Sequence, residues 1–133
     1  MSADQPGGSL ESSNELATTR TVLAAERTLM AWVRTALSMI SFGFTIYKFL
    51  HGLQEAGGIR LRHPEEPRNI GIFLAALGSA SLLAGILEHL QTLRGVEGAG
   101  RRLKLGATFF TACVVLVLGL VVFAGLVTQR GPL

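Results

Sequence analysis

Three arginines stand seven residues apart near the start of the chain, each followed by a threonine: Arg20-Thr21, Arg27-Thr28 and Arg34-Thr35. Seven residues beyond the last arginine comes Ser41, and seven beyond that Lys48. A guanidinium is a permanently charged fork of donors that fits carboxylate and phosphate oxygens, so a line of three is chemistry for anions. Seven residues at ~100° each fall ~20° short of two full turns, which makes the line one slowly rotating stripe on a helix. Its members are ~10 Å apart along the axis. Two carboxylates are ion-pair candidates for it: Glu26, beside Arg27 but turned ~100° from it on a helix, and Glu88, next to His89.

Other chemistry is thin. The chain shows no Gly-rich phosphate loop and no Ser-His-Asp arrangement. His51, His63 and His89 lack metal-ligand spacing. "HPEEP", residues 63–67, reads as loop surface in preference to a metal site. No catalytic residue, metal or cofactor is expected, and an enzyme is not the expected class. Aromatic residues do not alternate with the basic ones, so nucleic acid is not an expected partner.

The elements that must carry the stripe follow from composition. Of 133 residues, 49% are hydrophobic and 16% charged, against ~25% charged in ordinary soluble domains. Asn69 to Leu87 is a run of 19 residues without a charge, and Leu105 to Val127 is one of 23. A spanning helix needs ~20 apolar residues. The single cysteine, Cys113, lies inside the second run, where it reads as a small apolar residue. The first 19 residues hold no Lys or Arg and no apolar core, unlike a secretory signal. The expected fold is an all-α membrane protein of three transmembrane helices, the first with an amphipathic N-terminal extension. Residues 1–15 are expected to be a flexible tail, 16–128 the three-helix membrane domain and 129–133 a short C-terminal tail. Helix one is expected to begin near Leu16 to Thr21, helix two to run from about Asn69 to Leu90, and helix three from about Leu105 to Thr128.

The stripe then meets a difficulty. Only 13 uncharged residues separate Arg34 from Lys48, or ~21 Å from cation to cation, whereas the hydrocarbon core is ~30 Å thick. Snorkelling stems, a thinned bilayer or a polar interior would each resolve the mismatch. A polar interior would let Arg27 and Arg34 meet Glu88 or a bound anion. In helix two Gly71, Gly78 and Gly85 repeat every seven residues, a spacing expected of a helix-packing face. Lys and Arg number seven on the side of the N-terminus and second loop, counting Arg34, and five on the other. That bias favours a cytoplasmic N-terminus.

The segment Leu23 to Leu37, "LAAERTLMAWVRTAL", resembles the signature of the YidH-like family of small membrane proteins, the domain of unknown function DUF202. Ala24, Glu26, Arg27, Thr28, Ala31, Trp32, Arg34 and Thr35 carry the resemblance, and Ala25 stands where many members have Asn. The same domain is similar to the membrane portion of the eukaryotic vacuolar transporter chaperone, a ring whose cationic pore passes polyphosphate. That resemblance implies pore positions for Arg20 and Arg27, and for Lys104 at the start of helix three. Arg34 has no matching charge there. The chain has no room for that relative's polymerase domain, so synthesis of polyphosphate is not implied.

Two functions are expected from these readings. One is an oligomeric anion or polyphosphate conduit in the cell (plasma or inner) membrane, multi-pass, with Arg20, Arg27, Arg34 and Lys104 as pore-lining candidates. It calls for a homo-oligomer, because three helices cannot enclose a wide pore. The other is a non-conducting scaffold or accessory subunit whose stripe binds membrane lipid headgroups or a partner protein.

Overall fold

The computed structural model describes residues 6–60, 62–63, 65–97 and 106–128. It contains three helices: α1, Pro6–Glu55; α2, Glu66–Glu97; and α3, Ala107–Thr128. No strand occurs among the described residues. All three helices are long and apolar enough to cross a membrane, and Phe42, Phe73, Phe110, Val117 and Val121 stand exposed on their outer faces. In water such surfaces would be a liability. In lipid they are the ordinary outer face of a bundle, so the chain is a multi-pass membrane protein.

α1 has 50 residues and is therefore about 75 Å long, more than twice the hydrocarbon thickness. It begins at Pro6, ahead of the start expected between Leu16 and Thr21, so residues 6–15 are helix. Proline suits a first helical position, where the N–H it lacks would have no partner in the helix. Once a helix is nucleated, extending it across Leu10, Glu11 and Glu15 asks little of the chain. Residues 7–17 are exposed throughout. Residues 1–5 and 129–133 lie outside the described residues. At its far end α1 closes in a Schellman motif: Gly57 N–H donates to Gln54 O at 3.1 Å and Gly58 N–H to Leu53 O at 3.0 Å. Gly57 has φ +72°, a left-handed conformation that costs a side-chain-bearing residue ~1–2 kcal/mol.

α1 and α2 pack antiparallel and very closely, and α3 returns parallel to α1. A Cβ placed at Gly71 would lie 3.0 Å from Gly43 O and 3.2 Å from Tyr47 Cβ. One placed at Gly78 would lie 3.0 Å from Ala36 O. At Gly85 it would meet the Trp32 side chain, 2.7 Å from its Cβ. Gly119 of α3 approaches Ile40 and Ser79 in the same way. These contacts bring backbones together where lipid supplies no apolar drive for association. Leu29, Val33, Ala36, Leu82, Ile86, Ala112 and Val115 form one buried cluster, and Tyr47, Ala75 and Leu126 a second nearer the other end.

Candidate functional site

The helix contacts set the depth of each cation. Trp32 packs on Gly85 and Ala36 on Gly78, so Arg34 lies at a depth between those two glycines. Both are inside the uncharged run of α2. Thr28 shares a groove with His89 and Thr92, so Arg27 stands at the level where that run has ended. Arg20 is a further ~10 Å out. Tyr47 packs on Gly71, which puts Lys48 near Asn69, at the opposite end of the run. Lys48 Nζ sits 5.9 Å from the ring centroids of both Phe44 and Tyr47. Of the two cations that flank the short apolar stretch of α1, Arg34 is the one inside the span.

Arg20, Arg27 and Arg34 are all exposed, and among the described residues no hydrogen bond or ion pair reaches any of their guanidinium groups. The intramolecular pairing of Arg27 or Arg34 with Glu88 is therefore not formed. The reason is angular. Trp32 faces α2, and Arg34, two residues later, is turned ~200° from it, out of the bundle. Glu88 instead accepts a hydrogen bond from Trp32 Nε1, at 3.2 Å. Glu26 is half-buried and faces the start of α3, its Oε1 3.0 Å from where a Gly106 Cβ would stand. Lys104 falls outside the described residues. The structure thus brings Trp32, Glu88 and Gly85 together and leaves the arginines apart from them.

The threonines of the three Arg-Thr pairs have a structural task. Thr21, Thr28 and Thr35 each donate to the carbonyl four residues earlier, Ala17, Ala24 and Ala31, at 3.0 Å. Ser38 donates to Arg34 O at 2.8 Å. A hydroxyl within or near lipid is satisfied in this way by its own helix. The arginines also have regular neighbours. Four residues before them stand Leu16, Leu23 and Met30, and four after them Ala24, Ala31 and Ser38. Residues four apart are adjacent on a helix surface. The cation line therefore runs between a line of large apolar residues and a line of small ones, and except for half-buried Met30 all are exposed.

Between α1 and α2 lies a groove of about 210 Å³, lined by Thr21, Ala25 and Thr28 on one side and Gly85, Glu88, His89 and Thr92 on the other. His89 is 6% exposed, and its Nδ1 has no hydrogen-bond partner. Sequence reasoning singled out Glu88 but missed its partner Trp32, and missed Thr92. The glycine spacing of α2 was the available signal, since a glycine at close approach calls for a bulky residue opposite.

Fold and site together define a class: a three-helix membrane module with the three arginines of its stripe turned out of the bundle and a carboxylate–indole contact between α1 and α2. The family model described as "Domain of unknown function (DUF202)" matches residues 20–95. That is more than half of the chain, and the chain belongs to this family. The match opens at Arg20 and covers the whole α1–α2 contact described above. No curated protein and no solved structure matches the chain.

Proposed function

We propose that copies of this chain assemble side by side through α1 into a membrane ring. Arg20, Arg27 and Arg34 would line its shared space and hold anions of the phosphate class, polyphosphate included. The role is non-enzymatic. The observation that carries this reading is Arg34: outward, unpaired, and at a depth between Gly78 and Gly85. A lone arginine facing lipid at the centre of a span costs ~2.5–3.5 kcal/mol on insertion scales. A ring removes that cost by turning the line towards water and anions. The flanking lines suit head-to-tail packing, with Leu16, Leu23 and Met30 of one copy set against Ala24, Ala31 and Ser38 of the next. Lys104 joins the cationic set by the resemblance to the vacuolar transporter chaperone. The Lys and Arg distribution favours a cytoplasmic N-terminus in the cell or inner membrane.

A second reading, a non-conducting scaffold anchored to lipid headgroups, is favoured by one geometric fact. Side chains on a helix lean towards its N-terminus. Arg34 therefore leans towards the level of Arg27 and Glu88, and its stem covers much of the ~10 Å between them. The two readings separate on Arg34→Lys beside Arg34→Ala. Assembly mass is measured in mild detergent, and polyphosphate flux in reconstituted vesicles. The ring conduit requires both variants to lose flux while assembly persists, because lysine cannot reproduce the guanidinium fork. Wild-type behaviour of Arg34→Lys with failure of Arg34→Ala identifies a membrane anchor. A monomeric wild-type protein overturns the ring.

A further inference from the structure

The polar groups of the groove between α1 and α2, set among Ala24, Ala25 and Leu29, are chemically one-sided. Thr21, Thr28 and Thr92 each spend their hydroxyl proton on the carbonyl four residues earlier, all at 3.0 Å. A hydroxyl that has given up its proton in this way presents only lone pairs to the groove. Glu88 adds a carboxylate whose one hydrogen bond among the described residues comes from Trp32. His89, 6% exposed with Nδ1 unpartnered, adds an imidazole, which in its neutral form carries one acceptor nitrogen. The imidazole supplies the only N–H among these side chains. Gly85, against which Trp32 packs, closes its deeper end. A ligand that satisfies these polar groups must bring donors and positive charge. A primary ammonium, with three N–H bonds, does both.

Location then selects the source of that ammonium. Glu88 is the first charged residue after the run that ends at Leu87, so the groove opens at the level of the lipid headgroups. We infer that this groove binds the primary ammonium of a zwitterionic phospholipid headgroup, seated between the Glu88 carboxylate and the threonine hydroxyls. Choline headgroups, equally zwitterionic, have no N–H and are excluded by the same chemistry. The inference rests on the groove of a single chain and stands whether or not copies form a ring.

Native mass spectrometry of the full chain in mild detergent tests it, with phosphatidylethanolamine, phosphatidylcholine and phosphatidylglycerol added at equal concentration. Phosphatidylethanolamine should be retained about tenfold over the other two, the factor a charge-assisted hydrogen bond supplies. Glu88→Gln keeps an acceptor for Trp32 and should bring retention down to the phosphatidylcholine level. Thr28→Val removes a single acceptor at near-constant volume and should weaken retention several-fold, which keeps the test informative if the first variant does not fold. Glu55→Gln removes a carboxylate at the far end of α1 and should leave retention unchanged. Equal retention of the three lipids, or undiminished retention by both Glu88→Gln and Thr28→Val, overturns the inference. Displacement of the bound lipid by an equal concentration of free ethanolamine overturns the lipid source, because a headgroup held in the membrane has the advantage of its acyl chains.

Discussion

Trp32 does two things at once. Its ring fills the space left by Gly85, and its Nε1 donates to Glu88 at 3.2 Å. Indole suits this place, with an apolar body and one polar edge near the end of a span. The two contributions can be separated. Trp32→Phe keeps a ring against Gly85 and removes the donor with part of the indole's bulk, a loss of about 1 kcal/mol. Trp32→Ala also empties the contact, and its loss should be clearly larger, on the order of 3 kcal/mol. Thermal unfolding in detergent should rank wild type, Phe and Ala in that order. Equal midpoints for Phe and Ala would mean that the ring contributes nothing to packing. Arg34 is the residue-scale counterpart of Trp32. Two positions along the same helix, it faces out, and no described residue neutralises it.

At the scale of the element, α2 is built to approach α1 closely. Its glycines at 71, 78 and 85 meet Gly43 and Tyr47, Ala36 and Ile40, and Trp32 in turn. The position at Gly85 has the least room, because even a methyl group there would overlap the Trp32 side chain. Gly85→Ala should lower the thermal midpoint, although alanine is the better helix former by ~1 kcal/mol. Adding Trp32→Leu to Gly85→Ala should recover part of the loss, since the smaller side chain frees the space. Additive losses in the double variant would show that the two residues do not share a contact. The C-terminal end of α1 gives a second, independent check. Gly57→Ala places a Cβ at φ +72° and should cost ~1–2 kcal/mol. The same substitution at Gly52, inside the helix with nothing within 4 Å of its Cβ position, should be neutral or slightly stabilising. Midpoints measured side by side decide it.

For the whole molecule, three helices in alternation put the loop after α1 and the loop after α2 on opposite faces of the membrane. Reporter fusions after Gly57 and after Gly98 should accordingly respond from opposite sides, with the second on the side of the N-terminus. Two reporters on one side would remove the three-span arrangement. The length of α1 matters at this scale as well. About 75 Å of helix cannot be housed in ~30 Å of hydrocarbon. Residues 7–17, exposed on every face, therefore extend beyond the bilayer on the side where Arg20 stands.

Some of this was determined by the sequence alone, because it depends only on local chemistry. Two uncharged runs and a third apolar stretch require three spanning helices, since lipid leaves backbone groups no other economical way to pair. The seven-residue spacing of Arg20, Arg27 and Arg34 requires a single stripe, whatever it faces. The reach of α1 back to Pro6 was not legible, because Gly, Ser and Asn are poor helix formers and the local signal there is weak. Which way each side chain points was beyond the sequence for a different reason. Direction within a bundle depends on which helix lies opposite and at what register, and that is settled by non-local contacts such as Trp32 on Gly85 and Gly43 on Gly71. The tertiary structure alone decided that Glu88 belongs to Trp32 and not to an arginine, and that Arg34 lies within the span while Arg27 stands at its edge. It also decided that three committed threonine hydroxyls, a carboxylate and a buried imidazole share one groove.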